Sequence, residues 1–250
     1  MNPIGWATDT WSPVTGCSPV SPACDHCYAE RMATRLAGRF GYAAEDPFQV
    51  TFHPDRLDQP LKWKKPRRVF VCSMGDLFHE DVESEWIHAV FTTMAAAHWH
   101  TFLVLTKRPE IMGEWFATAQ ALGLTLRSGY GVTLPNVWLG VTVESQWAAN
   151  TRIPDLLDTP AAHRFVSCEP LLGPVNLRHI PGPLEPRLRS GKVDLVIAGA
   201  ETGPGARPAE PDWFRSLRDQ CQGHIPFYLK DRPGTIDGVQ YREIPGGMAL

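Results

Sequence analysis

The stretch that decides the fold is Thr101-Phe-Leu-Val-Leu-Thr-Lys-Arg-Pro109. Its apolar residues run unbroken instead of alternating with polar ones, as in a parallel strand covered on both faces. The run ends in a basic pair and in a proline suited to the first turn of a helix. The same design recurs along the chain, at Arg68–Ser73 (RVFVCS), Asn136–Val143 (NVWLGVTV), Arg164–Ser167 (RFVS), Val193–Ala198 (VDLVIA) and Ile225–Leu229 (IPFYL). Successive starts fall roughly 30 residues apart, the length of a strand, a crossover helix and their loops. Between the strands, Ile87, Val90, Phe91 and Met94 keep helical spacing. Pro109 opens a helix that Gly123 ends, and Pro211 opens another that runs through Leu217 to Gln220, with Gly223 just beyond. Such alternation defines an α/β fold, either a parallel barrel or an open doubly wound sheet.

Composition supports one globular unit. The 250 residues are 43% hydrophobic and 20% charged, enough apolar surface for a sizeable core and too much for disorder. A formal charge of −3 excludes attachment to DNA by global charge alone and leaves local basic patches open. No apolar run approaches the roughly 20 residues of a membrane span, and Met1 to Thr10 lacks a basic region followed by an apolar one. A cytoplasmic chain with no membrane association is the expectation. It is read as a single domain over 1–250: a cysteine loop and first helix at 1–40, a basic connector at 41–68 containing a short strand at Gln49–Phe52, and the remaining βα units at 69–250. The Gly/Pro-rich stretch from Ile180 to Gly191 reads as a surface loop.

Six cysteines divide unevenly. Cys72, Cys168 and Cys221 are dispersed, whereas Cys17, Cys24 and Cys27 form C-x6-C-x2-C in a proline-rich loop. That loop runs into a helix beginning near Tyr28, with Asp25 as the expected N-cap and Tyr28, Met32 and Leu36 on one face. In a reducing compartment a tight trio points to ligation instead of disulfides. Thiolates suit soft or borderline metals. Zinc in a structural site takes four ligands, which His26 or His53 would complete; three thiolates suit a four-iron cluster with one iron open.

Parallel α/β folds bind ligands at the carboxyl ends of their strands. Those ends read Met74-Gly75-Asp76, Thr106-Lys107-Arg108, Thr142-Val143-Glu144, Ser167-Cys168-Glu169, Gly199-Ala200-Glu201 and Leu229-Lys230-Asp231. Acids and bases in one ring suit a zwitterionic ligand.

Together TWSPVTGCSPVSPACDHCYAERM, RVFVCSMGDLFHEDV, TFLVLTKRPEIM, LPNVWLGVTVES, RFVSCEPLLGPV and DLVIAGAETGPGARP cover nearly the whole chain. In these blocks it resembles a phage-associated and bacterial three-cysteine-motif family that looks like the radical S-adenosylmethionine superfamily. The Asp76 and Thr106-Lys107 ends are similar to the branch that includes spore photoproduct lyase. The resemblance implies a partial (β/α)6-type parallel barrel with a [4Fe–4S] cluster on Cys17, Cys24 and Cys27. S-adenosyl-L-methionine on the open iron, a reductant as electron donor, and a 5′-deoxyadenosyl radical that abstracts hydrogen from a substrate complete the implied chemistry. The first gap departs from the superfamily's C-x3-C-x2-C, and His26 takes the position of its aromatic residue.

On that basis Asp76 is expected near the methionine amino group and Lys107 near its carboxylate. Glu144, Ser167 and Glu201 are candidates for ribose or substrate contacts, and Cys168 is the candidate catalytic thiol that returns a hydrogen atom. Cys72 is a second thiol candidate; Cys221 reads as structural. Lys62, Trp63, Lys64, Lys65, Arg67 and Arg68 place five cations around a tryptophan, a pattern that holds phosphates and stacks a base. A nucleobase in DNA or RNA is therefore one expected substrate. A peptide or small metabolite is a second, and a non-catalytic module stabilised by zinc or a cluster is the alternative of another class. His79, His88, His98 and His100 match no familiar zinc-enzyme spacing.

Overall fold

Each of the expected strand runs forms a strand, and all lie in one parallel sheet. The computed structural model describes residues 4–126, 131–178, 180 and 193–246. In chain order the elements are β1 (Asp9–Trp11), β2 (Val14–Thr15), α1 (Tyr28–Arg35), β3 (Thr51–Phe52), β4 (Arg68–Val71), α2 (Ser84–Ala96), β5 (Thr101–Thr106), α3 (Pro109–Ala121), β6 (Val137–Thr142), α4 (Gln146–Asp158), β7 (His163–Cys168), β8 (Leu195–Ala198), α5 (Pro211–Cys221) and β9 (Phe227–Leu229). Seven strands, in the order β1-β4-β5-β6-β7-β8-β9, curl into a half-barrel, and every neighbouring pair is parallel. The loop expected at 180–191 lies, apart from Ile180, outside the described residues.

Alternation along the strands sorts side chains between two layers. Val69, Val71, Phe102, Val104, Val137, Leu139, Val141, Val166, Val196 and Phe227 face the helices and join Val90, Phe91, Met94, Met112, Phe116, Ile153 and Leu217 in the main core. The intervening Leu103, Trp138, Phe165, Leu195, Ile197 and Tyr228 line the inside of the curl with Trp6 and Ala7. Both faces are thus apolar, which is why the strands read as unbroken runs.

Three local features depart from expectation. A seventh strand, β1, pairs Asp9, Thr10 and Trp11 with Val69, Phe70 and Val71. It carries a single large apolar residue, the buried Trp11, and so has no hydrophobic run. The short strand at Gln49–Phe52 contracts to β3, which pairs antiparallel with β2 outside the main sheet. Helix α1 is capped by Cys27, not Asp25, and buries Ala29 and Ala33 while Tyr28 and Met32 stay exposed. The buried side of α1 is thus its alanine face. Elsewhere the punctuation holds: Gly123 and Gly223 take positive φ just beyond α3 and α5.

Inside the curl, Gly140 of β6 lies against Phe165 of β7, and a Cβ on Gly140 would stand 2.5 Å from the phenyl ring. Gly140→Ala is therefore expected to lower stability by about 1–3 kcal/mol through overpacking. Adding Phe165→Leu should cost less than the sum of the two single substitutions; urea denaturation of the three variants measures both effects.

Candidate functional site

Loops leaving the carboxyl ends of the strands enclose a cavity of about 380 Å³, within the range of small-molecule sites. Its floor is apolar, formed by Trp6, Phe70 and Leu105. Its wall carries Asp76, Lys107, Thr142, Ser167, Glu169, Glu201 and Lys230, and Cys17, Cys24 and Cys27 all line it. The cysteine loop leaves the sheet edge after β1 and β2 and so shares an edge with the polar strand ends.

Cys17 is placed by a close backbone crossing. Gly16 forms an isolated parallel bridge with Gly75, and its N–H donates to the Met74 carbonyl at 2.9 Å. A Cβ on Gly75 would come within 2.6 Å of the Gly16 carbonyl oxygen, and one on Gly16, at φ +90°, within 2.1 Å of that of Gln49. Neither position accepts a side chain without moving the loop. Burial, followed by the nearby Asp76 carboxylate, raises the Cys17 thiol above its ordinary pKa, against the lowering influence of Arg108.

Cys24 and Cys27 are held by other means. Cys24 closes a short 3-10 turn and Cys27 is the N-cap of α1. Arg207 fastens this part of the loop: its Nη2 donates to the Pro22 carbonyl at 2.8 Å and its Nη1 lies 3.3 Å from Asp25 Oδ2. Glu201 accepts from Arg207 at backbone N, Nε and Nη2, and its Oε2 stands 3.1 Å from His26 Nδ1. Hydrogen bonds from Arg207, the largest influence, hold the Glu201 carboxyl down at about 2 despite its desolvation. Glu201 lines the cavity as expected, but its carboxylate secures the cysteine loop and is not free for a ligand.

Asp76 is similarly committed. Oδ1 accepts from the Phe78 N–H at 3.0 Å and the Thr106 hydroxyl at 2.8 Å, and Oδ2 from the Lys107 N–H at 3.1 Å. Arg108 Nη1 approaches Oδ2 to 3.5 Å. With its acceptor sites engaged from within the protein, Asp76 has little capacity left for an ammonium ligand. The Lys107 ammonium forms no hydrogen bond or ion pair among the described residues and lines the cavity half-buried. The Ser167 hydroxyl also lines it, buried and without a partner among the described residues. Opposite, Lys230 pairs with Glu169, and the Tyr28 hydroxyl donates to the Ser73 carbonyl at the cavity mouth.

Two expected residues lie elsewhere. Glu144 does not line the cavity; its Oε2 accepts from Arg152 Nη1 at 2.8 Å, tying the end of β6 to α4. Cys168, the expected catalytic thiol, points into the layer between sheet and helices, where burial drives its pKa far above the ordinary thiol value. The parity of the strand explains both Cys168 and Ser167: adjacent residues on β7 point to opposite faces, so Ser167 reaches the cavity and Cys168 does not. Cys72 and Cys221 are likewise in the sheet–helix core, each pushed up to about 12 by burial.

The basic segment lies at the opposite edge of the sheet, because Arg68 begins β4 and the cavity follows its end. Much of its charge is already matched. Lys62 pairs with Asp58 at 2.8 Å, Arg67 pairs with Asp9 and lies 4.6 Å from the centre of the Trp63 ring, and Arg68 Nε donates to the Trp6 carbonyl at 3.2 Å. Trp63 meets His100 edge-on, and Lys64 and Lys65 are exposed. Among the described residues no helix is long and apolar enough to cross a membrane.

The molecule is thus a parallel α/β half-barrel with a three-thiol cavity at the carboxyl edge of its strands. A family model described as "Protein of unknown function (DUF5131)" matches residues 1–242, and the chain belongs to that family. No curated protein and no solved structure matches the chain.

The Glu201 clamp has a definite pH signature. Because the folded carboxyl titrates below its ordinary value of 4.5, the clamp contributes fully above that value and is lost as pH falls through about 2. Wild type should therefore have a higher Tm than Glu201→Gln near pH 6, and the gap should close as pH falls toward 2. A pH-independent gap would show that the carboxylate charge is not what matters.

Proposed function

We propose that this chain is a radical S-adenosylmethionine enzyme that binds an iron–sulfur cluster through Cys17, Cys24 and Cys27. The observation that carries the reading is the presence of three free thiols in the lining of one cavity at the carboxyl edge of a parallel half-barrel. Among the described residues no three Cys, His, Asp or Glu side chains already stand in ligand geometry, so the sulfurs share the cavity without forming a preset cage. The donor chemistry fits a thiophilic cluster with an open position, and the Ser167 hydroxyl and Lys107 ammonium, without partners among the described residues, fit a polar ligand beside it.

When bound, the cluster and S-adenosylmethionine would supply a 5′-deoxyadenosyl radical for hydrogen abstraction. The protein's own contribution is positional. Lys107 offers the cation for the methionine carboxylate, and Ser167 the hydroxyl for a polar group near the floor. Trp6, Phe70 and Leu105 exclude water beneath them. Asp76 and Glu201, expected as direct ligand contacts, act instead by fixing the loops that carry Lys107 and the cysteines. The Lys62–Arg68 segment has no part in this cavity.

Anaerobic reconstitution with iron and sulfide is expected to give a brown protein with about four irons per chain that releases 5′-deoxyadenosine from S-adenosylmethionine under a strong reductant. Cys24→Ala and Cys27→Ala should abolish both. Lys107→Ala should keep the iron and weaken S-adenosylmethionine binding by about tenfold or more, the value of a charge-assisted hydrogen bond. One tightly held zinc with no nucleoside release would identify a binding module and sink the reading.

A further inference from the structure

Arg108 is a buried cation whose position at the start of α3 is not explained by the helix. It occupies the N-cap, where Ser, Thr, Asp or Asn would ordinarily accept from the first turn, and its side chain makes no capping bond. The guanidinium turns instead toward the first cysteine. Nη2 donates to the Ser18 carbonyl at 3.0 Å and the Ser18 hydroxyl at 2.8 Å, while Nη1 reaches Cys17 Sγ at 3.4 Å. The nearest carboxylate is Asp76, 3.5 Å from Nη1 and already holding three other donors. Among the described residues neither Cys24 nor Cys27 receives such a donor.

The surroundings make this contact rigid. His79 Nδ1 accepts the Asp81 N–H at 3.1 Å, which puts the proton of the neutral ring on Nε2, 2.7 Å from the Ser18 hydroxyl oxygen. Ser18 therefore accepts from both His79 and Arg108, which locks the guanidinium on one side. The Arg108 backbone N–H, bound to the Thr106 hydroxyl at 2.9 Å, fixes the main chain from which the side chain extends. A planar fork held by Ser18 through Nη2 keeps Nη1 directed at the sulfur, an arrangement suited to fixing it as well as neutralising it.

We propose that Arg108 is a positioning residue for Cys17, holding its sulfur and setting a buried positive charge and an N–H donor against it, so that a cluster bound there is easier to reduce. This rests on the cluster-binding reading above. Hydrogen bonds to ligand sulfurs and nearby charge are principal determinants of iron–sulfur potentials, and ligands left without such support lose metal more readily. Reduction adds negative charge to the cluster, so a fixed cation stabilises the reduced form. Its effect is asymmetric, because it acts through one of the three ligands.

The test uses the reconstituted full chain and reads the midpoint potential by an EPR-monitored redox titration, with iron content and the rate of iron loss to a chelator. Arg108→Gln is expected to move the potential to a more negative value and to speed iron loss. Arg108→Lys, which keeps the charge without the fork, should restore the potential part of the way but leave iron loss faster than in wild type. Equal potentials and equal iron loss in wild type and Arg108→Gln would overturn the proposal. If Arg108→Gln does not fold, Ser18→Ala decides: it frees one side of the guanidinium, should shift the potential in the same direction by less, and refutes the role if it shifts nothing. A wild-type chain that takes up no cluster would instead refute the functional reading itself.

Discussion

One buried carboxylate organises the cavity edge. Asp76 follows β4, yet its donors include the Thr106 hydroxyl and the Lys107 N–H at the end of β5, so the two strand ends are joined through it. A parallel ladder stops where the strands diverge into loops, and groups beyond that point must find other partners. Asp76 satisfies several at once and lies 3.5 Å from Arg108, which in turn reaches the cysteine loop. Without the carboxylate, a hydroxyl and two amides would be left poorly paired, each costing about 1–3 kcal/mol. Such a network is stable only when complete, which accounts for how little of Asp76 remains for a ligand.

The elements that the sequence shows plainly are those decided by a run of like residues. TFLVLT becomes β5 without a change of boundary, because burial on both faces demands apolar residues throughout. β1 was hidden because an edge strand paired on one side needs only Trp11 to anchor it. In α1, periodicity identifies a shared face for Tyr28, Met32 and Leu36 but not which face of the helix is buried. Here Ala29 and Ala33 are the packed side.

Site residues were legible as a ring of strand ends but not by role. Position after a strand brought Asp76, Lys107, Ser167 and Glu201 to the cavity. It could not reveal which charges were already matched, since the partners of Asp76 are backbone and hydroxyl groups and those of Glu201 come from a loop six residues on. Glu144 went to Arg152, one helix away. Arg108 and Arg207 did carry a signal: an arginine at a helix N-cap, and one in a Gly/Pro-rich turn, satisfy no local need and so require a distant one. Net charge was similarly uninformative, because the basic run at 62–68 is matched in part by Asp58 and Asp9 and sits at the far edge of the sheet.

The first two cysteines of the trio are anchored by different parts of the fold. Cys17 belongs to the β4–β5 side, fixed by the Gly16–Gly75 crossing and by Arg108. Cys24 and Cys27 belong to the β8 side, fixed through Asp25, His26 and Pro22 to Arg207 and Glu201. Three strands, β5, β6 and β7, lie between β4 and β8 in the sheet. Residues 18–23 make that span, stiffened by Pro19 and Pro22, with Val20 exposed and Ala23 buried beneath. The trio is therefore a single thiol and a CxxC pair, held by different anchors and lining one cavity.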